Sequence, residues 1–271
     1  MKAKEKGFIV KAVFITFLII LVAIEIAHAI WSFDDDLYLM LSRFAGGGAC
    51  IAFMIEFSFT RVFFPLGNKK IPFWLFTIPA FFIAVNNFPF VSFFAGDCSL
   101  NTDLNSILFF ELLCVSVGFF EEMAFRGCVF MLVLKSRTKS KGKIFLAIFL
   151  SSVVFGLVHF INVFFGASPL SVLLQIGYSA LIGALCSVVL LLTRNIWLCV
   201  ILHASYNFCG GLIERFGVGT QWTVEEMIFT AIVAVVVAMY FIVLFLKMPI
   251  RLADELFENV DELDAQESKK V

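Results

Sequence analysis

The stretch FFEEMAFRG, residues 119–127, places two carboxylates and a guanidinium inside an apolar run that extends over roughly residues 105–134. Ionisable side chains inside a bilayer are costly, and they are usually paired with one another or turned toward an interior cavity. The fold therefore depends on whether this run crosses a membrane, and the function depends on what holds the three charges there.

The composition is that of a membrane protein. Hydrophobic residues make up 61% of the 271 positions, 36 of them Phe, and the mean hydropathy is +1.00. Charged residues make up only 15%, against about 25% in an ordinary soluble domain. We therefore expect a polytopic integral membrane protein in contact with lipid. The net charge of −1 is no sign of a nucleic-acid partner, and we expect none.

A spanning helix needs about 20 mostly apolar residues, and the backbone within lipid must satisfy its own hydrogen bonds. The sequence therefore predicts an all-α fold of about eight transmembrane helices. The basic start and long apolar run at the N-terminus predict a retained first helix rather than a shorter signal peptide. The predicted spans are 12–31, 37–60, 71–95, 105–134, 144–165, 169–192, 195–214 and 226–246.

The basic residues alternate between the two sides of this eight-span arrangement. Seventeen of the 20 Lys and Arg residues fall on the side that holds both termini, and the opposite side carries only Arg215 with several acidic residues. Cytoplasmic loops are enriched in Lys and Arg. This distribution predicts a multi-pass cell-membrane protein whose N- and C-termini are both cytoplasmic.

The spans group into four segments along the chain. Residues 1–104 hold the first three helices, and residues 105–215 hold helices four to seven, which carry most of the deep polar side chains. Residues 216–248 hold the eighth helix. Residues 249–271 are predicted to form a cytoplasmic tail, because this segment follows the last apolar run on the side that holds most of the basic residues.

Spacing along the fourth span predicts different surroundings for its charges. Glu122 and Arg126 are four residues apart, so they share one helical face and are expected to form an ion pair. Glu121 points about 100° away and is left free to act. The sequence alone leaves an exchange of these two roles open. Arg43, in the second span, is expected to lie near a span end or in a structural pair and not to take part in catalysis.

Two of the three histidines lie at a depth comparable to that of Glu121. Glu121 is fourteen positions before Lys135, and His159 is sixteen positions after Lys143. At 1.5 Å per residue, both are roughly 20–25 Å along their helices. His203, on a third span, lies somewhat nearer the cytoplasmic end. These side chains are therefore expected to meet in one layer.

Three motifs lie on separate spans. EEMAFR (Glu121–Arg126) fits EExxxR, FGLVH (Phe155–His159) fits FxxxH, and HASYN (His203–Asn207) fits HxxxN. Together and in this order they resemble the CPBP family of intramembrane proteases, which includes CAAX prenyl proteases, bacteriocin-processing enzymes and Abi proteins. The resemblance covers roughly residues 105–215. It implies an eight-helix membrane fold and endopeptidase activity.

The resemblance also implies roles for individual side chains. Glu121 and His159 would activate the water, and His203 and Asn207 would stabilise the oxyanion. The expected substrate is a peptide or protein, either a prenylated CAAX-type tail or a bacteriocin-like peptide. A carboxylate in apolar surroundings is a stronger base than one in water, which suits peptide hydrolysis.

The resemblance gives Glu122 and Arg126 a structural role in the first motif. A metal is the alternative mechanism, because two His and one Glu form a known catalytic zinc set. Glu121, His159 and His203 would be its ligands, although the sequence has no HExxH motif. We favour water activated by glutamate without an obligatory metal, with zinc as the alternative cofactor.

Two other functions compete with proteolysis. One is a catalytically inactive membrane protein on the same scaffold that binds a peptide or partner, as in bacteriocin immunity. The other is a transporter or channel, since buried Glu and His can relay protons. The intact polar motifs argue against the first. The sequence shows no inverted repeats, which argues against the second.

Overall fold

The computed structural model describes residues 34–64, 77–135 and 140–257, together with scattered helical positions between 12 and 30. Short 3-10 helices cover Thr60–Phe63 and His159–Phe165, and a π-helix covers Met123–Phe130. The helices are α1 (Asp35–Glu56), α2 (Ile78–Asn86), α3 (Phe90–Ala95), α4 (Leu104–Glu122), α5 (Met131–Lys135), α6 (Lys141–Val158), α7 (Pro169–Thr193), α8 (Ile196–Phe216), α9 (Val224–Lys247) and α10 (Arg251–Asp254).

The predicted all-α, polytopic membrane class is confirmed. In the described part of the chain, five helices are long and apolar enough to cross a membrane, namely α1, α6 with its 3-10 extension, α7, α8 and α9. On α9, apolar side chains such as Ile232, Val236 and Met239 are about 60% exposed. A soluble monomer rarely exposes so large an apolar surface, and lipid would cover it. Most of the first predicted span, 12–31, lies outside the described residues.

The predicted third span, 71–95, is not one continuous helix. Its described part holds α2 and α3, which are separated by residues 87–89. Pro89 has no N–H to donate and disfavours helical geometry at the residue before it, so the helix ends ahead of it. The Asn87 side chain donates to the Tyr206 carbonyl of α8 at 2.9 Å, which ties the break to the bundle.

The fourth predicted span begins at a capped N-terminus. The Asp103 carboxylate accepts from the backbone N–H groups of Asn105 and Ser106 and from the Ser106 hydroxyl. These hydrogen bonds, that of the Ser106 side chain foremost, lower the pKa of Asp103. From Leu104 the chain is helical through α4, the π-helix and α5 as far as Lys135. This run carries the first motif.

Close backbone contacts bring the motif helices together. α4 packs between α1 and α8, and α6 packs on α7. A Cβ on Gly118 of α4 would lie 3.0 Å from the Ala204 nitrogen of α8, and one on Gly156 of α6 would lie 2.6 Å from the Ile176 carbonyl of α7. Only glycine fits at such contacts, so these two residues set the distances between the helices.

A two-stranded antiparallel ribbon adds a small β element to the helical fold. β1 (Cys98–Leu100) precedes α4, and β2 (Gly217–Gly219) follows α8, with Ser99 paired to Val218. The ribbon therefore joins one end of α4 to one end of α8. The ribbon was not predicted, because strands of only three residues leave no recognisable pattern in the sequence.

Candidate active site

The first motif forms a buried ion pair. Arg126 Nε lies 3.0 Å from Glu122 Oε2, and both side chains are almost completely excluded from solvent. The orientation is not that of a hydrogen bond, and the guanidinium nitrogens have no hydrogen-bond partner among the described residues. The Arg126 guanidinium carbon instead lies 4.5 Å from the centre of the Phe155 ring. Charge and a ring face therefore hold Arg126 in place.

His203 on α8 lies between the two neighbouring carboxylates of α4. Its Nδ1 is 2.7 Å from Glu122 Oε1, and its Nε2 is 3.3 Å from Glu121 Oε2. An ionised carboxylate has no proton to give, so Nδ1 donates to Glu122. This contact fixes the ring and turns Nε2 toward Glu121.

Phe155 on α6 connects the second motif to the third. Its ring is edge-on to His159, with centroids 5.4 Å apart, and to His203, with centroids 5.7 Å apart. His159 follows the last residue of α6 and opens the 3-10 helix. Its electrostatic neighbours include Glu121 and His203. One buried aromatic ring thus packs against both imidazoles and the Arg126 guanidinium.

The structure brings all four predicted catalytic side chains into one cavity of about 190 Å³. Glu121 and His159 are half-buried, whereas Glu122 is fully buried behind His203. The cavity is lined by Val117, Glu121, Phe155, His159, Gln175, Tyr178, Ser179, Ile182, His203, Tyr206 and Asn207. A larger cavity of about 660 Å³ between α2, α3 and α9 has almost entirely apolar walls. Because no ionisable group suited to catalysis lines it, the smaller cavity is the candidate active site.

α7 adds polar residues to this cavity that the predicted site did not include. Gln175 accepts a hydrogen bond from the Asn162 side chain at 2.8 Å, so its own amide N–H groups are left for other partners. Tyr178 and Tyr206 approach with ring centroids 6.0 Å apart on the cavity wall. The position of Gln175 deep in an apolar span is a sequence signal for a functional residue. Its hydrogen bond with Asn162 could not be predicted from the sequence.

The predicted zinc set does not assemble in this arrangement. Glu121 and His203 are in contact, but the ligand atoms of Glu121, His159 and His203 do not all lie within 4.8 Å of one another. In the described part of the chain, the group that meets this distance is Glu122, Cys186 and Cys199. There both Glu122 oxygens already face His203 and Arg126, and the Arg126 charge opposes a cation. We therefore assign no metal ligands.

A family model provides the comparison with known proteins. The model described as type II CAAX prenyl endopeptidase Rce1-like matches residues 103–209. Over these residues the chain is similar to the CPBP/CAAX protease family. The matched segment runs from the cap of α4 into α8 and contains all three motifs. Comparison with curated proteins and with solved structures gave no match.

The similarity to this family bears on activity as well as on fold. It implies a protease that acts in a membrane on a peptide or protein substrate. The cavity fits this implication, because carboxylate, imidazole and amide groups converge in surroundings that are otherwise apolar. The transporter alternative gains no support from the match.

Proposed function

We propose that this protein is an intramembrane endopeptidase in which Glu121 and His159 activate a water molecule and His203 and Asn207 stabilise the oxyanion. The observation that carries the proposal is the convergence of these four side chains, from three separate helical segments, on one cavity. Glu122 and Arg126 lie behind His203 and position it.

Glu121 is the proposed general base. It lines the cavity and is half-buried, whereas Glu122 is enclosed by Arg126 and His203. In the proposed step, Glu121 takes a proton from the water while the water oxygen attacks the carbonyl carbon of the scissile bond. The same proton then passes to the leaving nitrogen as the C–N bond breaks. His159 holds the water. A positioned base of this kind contributes about 10²–10⁴ in rate.

His203 and Asn207 are the proposed oxyanion donors. Backbone N–H groups within a membrane helix are already bonded to carbonyls, so side chains have to serve instead. His203 donates at Nδ1 to Glu122, and donation at Nε2 to the oxyanion makes the ring a cation. At that stage Glu121 holds the proton taken from the water, so the Glu122 carboxylate stabilises the charge of the ring. One oxyanion donor is worth roughly 2.7–4 kcal/mol of barrier.

The substrate we propose is a CAAX-type tail, because the matched family acts on CAAX prenyl proteins. A bacteriocin-like peptide is the alternative substrate, and an inactive binding or immunity protein is the alternative function. The charge asymmetry of the loops leads us to propose cytoplasmic termini and a cell-membrane location. Protease accessibility of terminal tags in oriented vesicles tests the orientation.

The test is cleavage of quenched fluorescent peptides by the purified protein in lipid nanodiscs. The panel holds CAAX-type peptides with and without a prenyl group, and a bacteriocin-like leader peptide. The variants are Glu121→Gln and the matched control Glu111→Gln, which changes an exposed carboxylate on the same helix. We expect Glu121→Gln to lower kcat by about 10²–10⁴ and Glu111→Gln to leave it unchanged.

A chelator series on the wild type separates the two mechanisms. Cleavage unaffected by chelator supports the glutamate mechanism, whereas cleavage lost to chelator and restored by zinc supports the metal. Cleavage that survives Glu121→Gln overturns our choice of base. A folded wild type that cleaves no peptide of the panel favours the inactive binding protein.

A further inference from the structure

Arg43 on α1 lies outside the three motifs and is not among the residues that line the active-site cavity. Its guanidinium carbon is 5.0 Å from the centre of the Phe120 ring, and Phe120 directly precedes the proposed base. Arg43 is also near enough to His159 for its charge to act on the imidazole. The Arg43 side chain is partly buried.

The other arginines with described contacts have partners that account for them. Arg126, Arg215 and Arg251 pair with Glu122, Asp36 and Glu255, respectively, and Arg194 donates to the Phe64 carbonyl. Arg43 differs from them. Its Nε is buried without a hydrogen-bond partner, as in Arg126 and Arg251, but unlike those two it pairs with no carboxylate within residues 34–64, 77–135 or 140–257. An arginine held in a span without an anion is costly unless an anion arrives from outside.

A C-terminal peptide supplies such an anion. The CAAX pattern is by definition the end of a protein, so its last residue carries a free carboxylate. A bond within four residues of that end lies at most about 14 Å from the carboxylate, since an extended chain covers 3.3–3.6 Å per residue. The planar guanidinium of arginine matches a carboxylate with two parallel hydrogen bonds. Lysine would act only as a point charge.

We propose that Arg43 binds the C-terminal carboxylate of the substrate and thereby confines cleavage to peptide bonds close to a free C-terminus. The inference rests on the proposed proteolytic function and adds a specificity residue to it. Glu121 and His159 act on the scissile bond, while Arg43 fixes its distance from the chain end. Substrates are then selected by a free carboxylate in addition to any lipid they carry.

The experiment compares two fluorescent CAAX-type peptides of the same sequence, one ending in a carboxylate and one in a primary amide. Binding is measured by anisotropy in nanodiscs on the Glu121→Gln background, where we expect turnover to be slowed about 10²–10⁴-fold, and cleavage is measured with Glu121 intact. Each readout uses Arg43 intact, Arg43→Gln, Arg43→Lys and the control Arg251→Gln. Melting temperatures confirm that each variant is folded.

With Arg43 and Arg251 intact, and in Arg251→Gln, we expect the carboxylate peptide to bind about 10- to 100-fold more tightly than the amide peptide, as for a charge-assisted pair. Arg43→Gln should bind both peptides with the weak affinity that the protein with Arg43 intact has for the amide peptide. The preference of Arg43→Lys for the carboxylate peptide should lie between those of the other two.

Equal binding of the two peptides by the protein with Arg43 intact, or a preference that survives Arg43→Gln, overturns the inference. A preference that depends on Arg43 without any cleavage supports the carboxylate site and rejects proteolysis. Cleavage with no such preference supports proteolysis and rejects the site.

Discussion

His203 separates two regions of the active site that are built from similar residues but differ in their contacts. On the dry side lie Glu122 and Arg126, both fully buried. On the cavity side lie Glu121 and His159, which line an open space. Glu121 and Glu122 are adjacent and chemically identical. Burial and partners, rather than residue type, therefore decide which one is available to a substrate.

The dry side should respond to mutation mainly through stability. Arg126→Met leaves the Glu122 carboxylate buried without its cation, and breaking a buried pair in this way costs about 3–5 kcal/mol. We expect a large fall in the unfolding free energy, measured by chemical denaturation in detergent micelles. The double variant Glu122→Gln/Arg126→Met should recover part of the loss. Equal stability of Arg126→Met and wild type would contradict the separation of the two regions.

Gly183 on α7 tests the packing of the dry side. A Cβ there would lie 3.0 Å from Arg126 Nη2 and 3.2 Å from Phe155 Cδ1, so Gly183→Ala must displace the guanidinium or the ring. Such overpacking costs about 1–3 kcal/mol and should also lower cleavage by shifting the imidazoles. The control Gly177→Ala, on the same helix with no atom within 4 Å of the added Cβ, should be neutral. A similar change in melting temperature for both variants would argue against this packing.

Asn162 tests the cavity side. Its side chain orients Gln175 on the cavity wall, so Asn162→Ala should raise KM about 2- to 10-fold through loss of one neutral hydrogen bond, with little effect on melting. Gln175→Ala should behave alike, and the double variant should not be additive. Asn101→Ala, a loop change, is the control. Fully additive effects would mean that the two residues act independently.

The smallest expected effect lies outside both regions, at the cap of α4. The pKa of Asp103 is lowered in the folded protein by hydrogen bonds from Ser106 and Asn105, so its stabilisation is present at neutral pH and is lost as the pH falls through the folded pKa. Asp103→Asn keeps a cap that does not titrate. We expect its melting temperature to depend less on pH than that of the wild type between pH 7 and about pH 3. Asp97→Asn is the control, and identical pH profiles for Asp103→Asn and wild type would contradict the cap.

Local patterns in the sequence predicted some of these features. They could not predict those that depend on contacts between residues far apart in the chain. The Glu122–Arg126 pair follows from a four-residue interval, and the membrane class follows from composition and run length. The contact of His203 with Glu122 joins residues 81 positions apart, so it depends on how α4 and α8 pack. The break ahead of Pro89 was readable from the proline, although the apolar run around it predicted one span.

The sequence also did not predict the departure from α-helical geometry in the fourth predicted span. The π-helix starts immediately after Glu122 and contains Arg126. No residue type within Met123–Phe130 predicts a π-helix. π-Helical segments recur at functional sites, where they change the direction in which side chains point. Arg43 was expected to lie near a span end or in a structural pair, and the structure pairs it with no described carboxylate. That difference led to the proposed carboxylate site.

The most direct test of the different roles of Glu121 and Glu122 is a paired measurement of cleavage rate and melting temperature for Glu121→Gln and Glu122→Gln. We predict that Glu121→Gln melts like the wild type and loses about 10²–10⁴ in kcat, because it removes a base from the cavity side. Glu122→Gln should melt at a clearly lower temperature, because it leaves Arg126 buried without a counter-charge. A Glu121→Gln protein that cleaves at the wild-type rate, or a Glu122→Gln protein that is inactive but melts normally, would contradict the account.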